Sequence, residues 1–286
     1  MLAVKVVAGE RWLADDYGRQ VARLRSFSEI IGGLGVDAFI VASGPSTKSF
    51  DFKRYRSYSF ISMNGSISAF EDEDVKPFIY MCDDASFVCD RPELILRGVN
   101  YSKHIAASLE VLSGIYNISP DALKGKSIFL LERVNRFIGR KPLSDRAYAW
   151  SIRHDPDLIC GLSLIRRSPN RIGFSLNMDK GYFVARTIPY VALQLSYHLG
   201  VRRVYLVGVD LDGAMGRFYE SGEEAVRTSL HQDYDKFIEP SFEWMSRKIV
   251  RKGRYEVYNL SIASKLPSEI VPKLAQCDLD ALLGII

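Results

Sequence analysis

The chain has 286 residues, of which 47% are hydrophobic and 25% charged, with a formal net charge of +4. This balance is that of an ordinary globular protein and excludes disordered, collagen-like and coiled-coil classes. No apolar run approaches the roughly 18 residues of a membrane span, and so mild an excess of basic residues gives no indication of a nucleic-acid partner.

The first half of the chain is predicted to hold one helix and then a series of buried strands. Residues 10–32 carry apolar side chains at helical spacing, and the anchors of this predicted helix are Leu13, Val21, Leu24, Ile30 and Ile31. Short apolar runs then predict strands at residues 37–42, 59–63, 77–81 and 127–131.

The second half alternates helices and strands. The pattern predicts a helix at 187–199, a strand at 204–209, a helix at 233–251, a strand at 255–260 and a short C-terminal helix. Short apolar strands that alternate with helices predict an α/β fold, with a Rossmann-like, mostly parallel sheet and helices on both faces. We expect residues 1–286 to form a single domain.

Residues 136–185 fit no strand–helix unit. They are predicted to form a lid-like insertion that faces an acceptor, the substrate that would receive a transferred group. Nine Lys or Arg fall between positions 133 and 171, whereas only Asp145, Asp155 and Asp157 oppose them. Such a basic segment suits a phosphorylated acceptor or an anionic membrane face, although a solvated surface would have the same composition.

Polar turns follow several of the predicted strands. They are Ser43-Gly44-Pro45-Ser46, Asn64-Gly65-Ser66, Asp83-Asp84 and Asp210-Leu211-Asp212. Ligands of open parallel sheets bind beyond the carboxyl ends of the strands, where small residues let backbone amides approach a phosphate. The sequence therefore predicts a nucleotide site at this edge, although ordinary turns between strands and helices also use these residue types.

Familiar catalytic fingerprints are absent from the sequence, which has no GxGxxG after a first strand, no GxxxxGK[ST], no GxSxG and no HExxH. Asp210 and Asp212 match the short DxD pattern of metal-dependent sugar-nucleotide transferases, or else form an ordinary strand end. His231, which lies in a polar stretch before a predicted helix, is the first candidate for a general base, and Asp210, Asp212 and Glu220 are carboxylate candidates.

The cysteines and the N-terminus bear on the compartment. Cys82, Cys89, Cys160 and Cys277 are scattered without a Cys-x-x-Cys pair, a spacing that favours reduced thiols over disulfides or structural zinc. The brief apolar run at residues 1–9 is followed by acidic residues and no cleavage-site pattern. We therefore expect a cytoplasmic protein.

The polar turns also carry a resemblance. Several segments resemble, in order and spacing, the lipopolysaccharide core biosynthesis proteins of the WaaZ (RfaZ) type. They are the turns at 43–46 and 63–66, the segment 75–80, Thr187-Ile188, the strand end at 208–213 and Arg217-Phe218-Tyr219. The resemblance runs from about residue 37 to 264. A more distant similarity is to bacterial sialyltransferases that use CMP-sialic acid, and it implies their transferase fold.

This resemblance implies a Kdo transferase, which adds 3-deoxy-manno-octulosonate from CMP-Kdo to the lipid-A–inner-core oligosaccharide. It implies donor contacts from Ser43, Gly44, Pro45, Ser46, Asn64, Asp83, Asp84 and Thr187. Tyr219 would stabilise the departing phosphate. The Ser-Gly that follows the threonine in sialyltransferases is Ile188-Pro189 here, and His231 lies several residues before the position of their catalytic histidine, near Phe237.

The predicted reaction is an inverting displacement, with Asp210, His231 and Tyr219 as catalytic candidates and no cofactor required. The acceptor would be held by Arg140, Lys141, Arg166 and Arg167, at the cytosolic face of the inner membrane, with peripheral contact to its anionic surface. The alternatives are a metal-dependent nucleoside-diphosphate-sugar transferase that uses Asp210 and Asp212, a pterin diphosphokinase-like enzyme, and a non-catalytic nucleotide-binding protein.

Overall fold

The computed structural model describes residues 1–71, 73–166, 168–213, 216–220 and 230–285. The strands are β1 (Ala3–Val7), β2 (Glu10–Ala14), β3 (Gln20–Arg25), β4 (Asp37–Val41), β5 (Ser59–Met63), β6 (Ile79–Cys82), β7 (His104–Ala107), β8 (Ser127–Leu130), β9 (Leu158–Cys160), β10 (Gly173–Ser175), β11 (Arg203–Val207) and β12 (Glu256–Asn259). The α-helices are α1 (Ala85–Asp90), α2 (Pro92–Tyr101), α3 (Leu109–Ile118), α4 (Asp145–Ser151), α5 (Ile188–His198), α6 (Leu230–Asp233), α7 (Glu239–Lys248) and α8 (Gln276–Leu283). A π-helical segment, Tyr234–Ile238, joins α6 to α7.

One ten-stranded sheet organises the molecule, in the order β1-β2-β3-β8-β7-β6-β5-β4-β11-β12. Neighbours from β3 to β12 pair in parallel, and β1, β2 and β3 pair antiparallel. Each strand predicted from the sequence is present within two residues of its expected bounds. The predicted mostly parallel α/β architecture is confirmed.

Helices cover both faces of the sheet, as predicted. In β4, Ala38 and Ile40 face the side on which α5 and α7 pack, whereas Phe39 and Val41 face the side of α2 and α3. Alternate residues of a strand point to opposite faces, so a strand that is apolar throughout can bury both sides. The result is two hydrophobic cores that share one sheet.

The helix predicted over residues 10–32 is wrong, because this segment forms the antiparallel pair β2–β3. The Asp15 carboxylate accepts the amides of Tyr17 (3.0 Å) and Arg19 (2.9 Å), and Gly18 has φ +79°. This chemistry favours a tight turn over a helix. In β3 only Ala22 and Leu24 are buried, which is the alternation of a strand.

The elements between positions 83 and 126 are absent from the predictions made from the sequence. There the chain forms α1, α2, β7 and α3. Asp84 caps α1 by accepting the Ser86 amide at 3.0 Å, and Ser108 caps α3 by accepting the Val111 amide at 3.5 Å. These elements add β7 to the parallel sheet and cover one of its faces.

Within the described part of residues 136–185, the chain contributes no strand to the large sheet. It forms α4 and a separate antiparallel pair of β9 and β10. A small cluster of Ile152, Leu158 and Phe183 packs beneath them. The role of residues 136–185 as a lid stays a prediction.

Candidate functional site

The order of the strands places a topological switch point between β4 and β11. Strands β5 to β8 lie on one side of β4, whereas β11 and β12, which come later in the chain, lie on the other side. A sheet whose order reverses in this way opens a crevice beyond the carboxyl ends of the two central strands, which is the usual ligand site of such folds. The turn at residues 43–46 and Asp210 lie on its two sides.

Gly44 allows these two sides to close on each other. Its amide donates to the Gly208 carbonyl at 2.9 Å. A Cβ atom at position 44 would lie 2.1 Å from Asp210 Oδ2 and 2.5 Å from the Gly208 oxygen. Asp210 is only 4% exposed, and its Oδ2 accepts the Ser46 amide at 3.0 Å. The Asp210 carboxylate therefore holds the turn in shape.

A third loop, after β12, completes this side of the crevice. The hydroxyls of Ser46 and Ser261 lie 2.7 Å apart, and Lys273 Nζ donates to the carbonyls of Ser264 (3.0 Å) and Ser261 (3.4 Å). Burial lowers the pKa of Lys273, although the charge of Asp210 opposes this shift. Ser261 and Lys273 are not among the predicted site residues, because only the pairing of β12 with β11 brings them here.

The turn after β5 lies under Tyr219. Asn64 has φ +46°, a conformation that asparagine tolerates, and its carbonyl accepts the Tyr80 hydroxyl at 3.1 Å. A Cβ at Gly65 would lie 2.0 Å from the Tyr219 ring, so the ring packs directly on this glycine. The Phe218 amide donates to Ser43 at 3.0 Å. The structure thus brings Ser43, Asn64 and Tyr219 together, and burial raises the pKa of the Tyr219 hydroxyl.

Asp83 and Asp84 lie further along the same edge, at the end of β6. Asp83 Oδ2 accepts Arg133 Nη2 (2.8 Å) and Nε (3.1 Å) as well as the Tyr182 hydroxyl. Both aspartates line a cavity of about 440 Å³, together with Ser108, Arg133 and others. They therefore contribute to a pocket beyond β6 to β8, beside the crevice at β4 and β11.

Thr187 precedes the first residue of α5. Because α5 leads back into β11, it runs antiparallel to the strands, and its N-terminus lies at their carboxyl edge. Within the described residues, the extended Thr187 makes no side-chain capping bond, and Pro189 occupies the first turn. The hydroxyl is thus not engaged by its own helix.

His231 is exposed and lies in α6. This helix begins directly after residues 221–229, which are outside the described chain. Of the three carboxylate candidates for the base, Asp210 is in the crevice as described above. His104 and His198 belong elsewhere: burial, aided by the charges of Lys103 and Arg25, lowers the pKa of His104 to about 4, and His198 ends α5 at the opposite edge of the sheet.

The predicted acceptor residues lie on the basic segment. Arg140, Lys141 and Arg166 are exposed, whereas Arg167 falls outside the described residues. The Arg140 guanidinium lies 5.7 Å from the centre of the Phe137 ring, and both side chains line a second cavity of about 430 Å³. Arg11 of β2 and Glu132, which follows β8, line the same cavity.

In the part of the chain that the structure describes, no three His, Cys, Asp or Glu side chains form a group that could hold a metal ion. None of the helices in the same residues is both long enough and apolar enough to cross a membrane.

Comparison with known proteins gives a match over most of the chain. A family model described as 3-deoxy-D-manno-octulosonic acid transferase WaaZ matches residues 31–277. Two proteins named probable 3-deoxy-manno-octulosonic acid transferase are similar: one from Salmonella typhimurium is 25% identical over 244 residues, and one from Escherichia coli is 24% identical over 251. The alignments cover 85% and 86% of this chain, and 88% and 84% of the relatives.

Among solved structures, the chain is similar to the sialyltransferase CstII from Campylobacter jejuni in complex with a substrate analogue, cytidine-5'-monophosphate. The identity is 13% and the TM-score 0.41, with 84% of this chain and 85% of that chain covered.

Proposed function

The chain belongs to the WaaZ family of 3-deoxy-D-manno-octulosonic acid transferases, and on that premise we propose that it transfers Kdo from CMP-Kdo to the lipid-A–inner-core oligosaccharide. The observation that carries the proposal is the family match over residues 31–277, which spans β4, β11 and the turns between which the crevice opens. A nucleotide-activated donor suits a crevice of this kind.

The proposed reaction is a direct displacement with inversion. The oxygen of an acceptor hydroxyl forms a bond to the anomeric carbon of Kdo from the face opposite the nucleotide. The bond from that carbon to the phosphate oxygen breaks, and CMP leaves with the electron pair. A base takes the hydroxyl proton. We propose that no divalent metal is required, because hydroxyls and a helix N-terminus stabilise the leaving monophosphate.

The donor is proposed to bind across the crevice. Gly44 lets the backbone of the turn approach the nucleotide, and the first turn of α5, at Thr187, faces its phosphate or cytidine. Polar contacts would come from Ser43, Ser46, Asn64, Asp83 and Asp84, with Pro45 setting the backbone of the turn. Tyr219, which packs on Gly65, would donate its hydroxyl to the departing phosphate.

Asp210 and His231 are proposed to play different parts. One carboxylate oxygen of Asp210 already accepts the Ser46 amide in a site that is 4% exposed, so we assign it the shaping of the donor turn. His231 is then the proposed base, since it is exposed at the start of α6. The acceptor, which is anionic and anchored in a membrane, would be held by Arg140, Lys141, Arg166 and Arg167 at the cytosolic face.

The test is calorimetry and a transfer assay on the full chain. CMP alone should bind, and EDTA should leave both its affinity and Kdo transfer unchanged, with the product of opposite anomeric configuration by NMR. UDP or ATP binding that requires Mn²⁺ or Mg²⁺, together with loss of transfer in EDTA, would reject the CMP-dependent reaction.

A further inference from the structure

Exposed apolar side chains are concentrated in one part of the described chain. Six of its fifteen exposed large apolar residues fall between positions 138 and 165, although these positions make up only about a tenth of the sequence. The most exposed of the six are Ile165 at 90%, Leu164 at 72% and Trp150 at 52%. Contiguous exposed apolar groups mark interaction surfaces, and we call these three residues the apolar ridge.

The turn that carries Leu164 and Ile165 is firmly built. Asn170, only 2% exposed, accepts the Ser163 amide at 2.7 Å and donates to the carbonyls of Ser163 (3.0 Å) and Arg166 (3.1 Å). The Ser163 hydroxyl accepts the Arg166 amide at 2.9 Å. A buried amide thus closes the base of the turn, which leaves the two aliphatic side chains at its apex.

Trp150 lies on the same side of the segment as this turn. Arg146 Nη2 donates to the Ile165 carbonyl at 3.2 Å, which ties the turn to α4. Trp150 follows Arg146 by four residues on that helix, so the two side chains share one helical face. The Arg153 guanidinium stacks 4.1 Å from the centre of the Trp150 ring.

Cations surround the ridge. Arg146, Arg153 and Arg166 are all exposed beside it. Aliphatic side chains at the apex of a turn, an aromatic ring and flanking arginines are the composition of a surface that enters the boundary of an anionic bilayer. A second copy of the chain fits less well, because two such rims would meet with like charges.

We propose that the apolar ridge inserts into the interfacial region of an anionic lipid bilayer, with Arg146, Arg153 and Arg166 at the headgroups. The inference rests on the proposed membrane-anchored acceptor, and it adds an apolar anchor that salt cannot screen. The ridge would hold the basic segment against the surface in which that acceptor sits.

The first experiment measures binding of the full chain to vesicles of phosphatidylethanolamine and phosphatidylglycerol. The double variant Leu164→Ser/Ile165→Ser should bind at least tenfold more weakly, because two aliphatic side chains are lost from the interface. The matched control, Val6→Ser/Ile31→Ser, removes two exposed aliphatic residues elsewhere and should bind as the wild type does. High salt should weaken wild-type binding without abolishing it.

A second experiment reports insertion directly. In the variant Trp12→Phe/Trp244→Phe, Trp150 is the remaining tryptophan, and its fluorescence should shift to the blue and be quenched by brominated lipid chains. Absence of vesicle binding, or binding that salt abolishes and the ridge variant leaves unchanged, would overturn the inference. A wild-type dimer that the ridge variant converts to a monomer would overturn it in favour of self-association.

The proposed function is tested separately with a water-soluble acceptor oligosaccharide that lacks lipid. The ridge variant should transfer Kdo to it at the wild-type rate. If the wild type transfers Kdo to this acceptor and does not bind vesicles, only the ridge inference fails. If vesicles are bound and no Kdo is transferred, the proposed function fails and the ridge stands.

Discussion

The position of residue 44 against Asp210 leads to a sharp prediction. In Gly44→Ala the new methyl group would lie 2.1 Å from Asp210 Oδ2 and 2.5 Å from a backbone oxygen, so the turn must move away from the crevice. We expect the affinity for CMP, measured by calorimetry, to fall at least tenfold. Gly114→Ala, on α3, is the matched control, since its methyl group meets the Val88 side chain of α1 and neither Asp210 nor the turn at residues 43–46. Unchanged CMP binding in Gly44→Ala would place the nucleotide elsewhere.

Asp210 can be separated into a shaping and a chemical role. Asparagine keeps an oxygen that can accept the Ser46 amide, whereas alanine does not. We expect Asp210→Asn to bind CMP within about threefold of the wild type and to retain transfer, and Asp210→Ala to lose about tenfold in affinity, the equivalent of one hydrogen bond to a charged group. Loss of transfer with intact CMP binding in Asp210→Asn would instead make this carboxylate the base.

The sequence predicts part of the candidate site. Polar residues at the ends of apolar strands identified Ser43, Gly44, Ser46, Asn64 and Asp210, which the structure brings to the crevice or its rim. Ser261 and Lys273 carry no such signal, because their place depends on the pairing of β12 with β11. The bonds of Asp83 to Arg133 and Tyr182 could not be predicted either, since these residues lie 50 and 99 positions away.

A buried side chain of α5, Gln194, bonds the backbone of the insertion at residues 136–185. Gln194 is fully buried, its Oε1 accepts the amides of Ser175 (3.0 Å) and Phe183 (2.9 Å), and its Nε2 donates to the Phe183 carbonyl at 2.9 Å. Gln194→Leu would leave these backbone groups unpaired. We expect a loss of about 2–5 kcal/mol in the free energy of unfolding in urea.

The exposed Gln20→Leu serves as the control for this prediction and should change the free energy of unfolding by less than about 0.5 kcal/mol. A Gln194→Leu variant as stable as this control would show that the hydrogen bonds of Gln194 do not stabilise the insertion.

Helices and strands could be predicted from the sequence where apolar runs are short and uniform. The prediction failed where apolar residues fit both the helical and the strand period. Leu13, Val21 and Leu24 fit helical spacing, yet Asp15 and Gly18 form a turn between them, so local turn chemistry decided the outcome. The strand β7 has only four residues, His104–Ala107, and its histidine and alanines give no strand signal. Its burial comes from the strands on either side.

His104 should make the free energy of unfolding of the whole protein depend on pH. Burial lowers its pKa to about 4 in the folded state, whereas an unfolded histidine has a pKa of about 6.5. The unfolded chain therefore binds a proton that the folded chain excludes, so stability is full above pH 6.5 and falls as the pH drops towards 4. We expect this group to cost about 1–3 kcal/mol across that range.

Urea denaturation of the wild type and of His104→Gln at a series of pH values measures this difference. Glutamine can still bond Ser127, which lies 2.9 Å from His104 Nδ1, and it does not titrate. The gap between the two curves should widen below pH 6.5 and stop widening near pH 4. The exposed His154→Gln should follow the wild type, and a His104→Gln curve parallel to the wild type would contradict the assignment.

The charge of the basic segment should act on the acceptor and leave the nucleotide site alone. Replacing the acceptor cations with glutamine should raise the acceptor KM several-fold, more at low salt, where exposed charges act over a longer range; the positions are Arg140, Lys141, Arg166 and Arg167. CMP affinity should stay constant. The control replaces four exposed cations elsewhere, namely Arg56, Lys124, Arg251 and Lys252. Equal effects of the two sets, or none, would remove the segment from acceptor binding.

The place of β11 beside β4 has a consequence for biosynthesis. The ribosome releases β4 to β8 long before residues 203–207, so during synthesis the outer edge of β4 has no partner strand. An open edge of apolar sequence invites pairing with other chains, and contacts so distant in sequence form slowly. We therefore expect nascent chains that end before β11 to depend on chaperones, and to gain no protection from CMP, because half of the crevice has yet to be made.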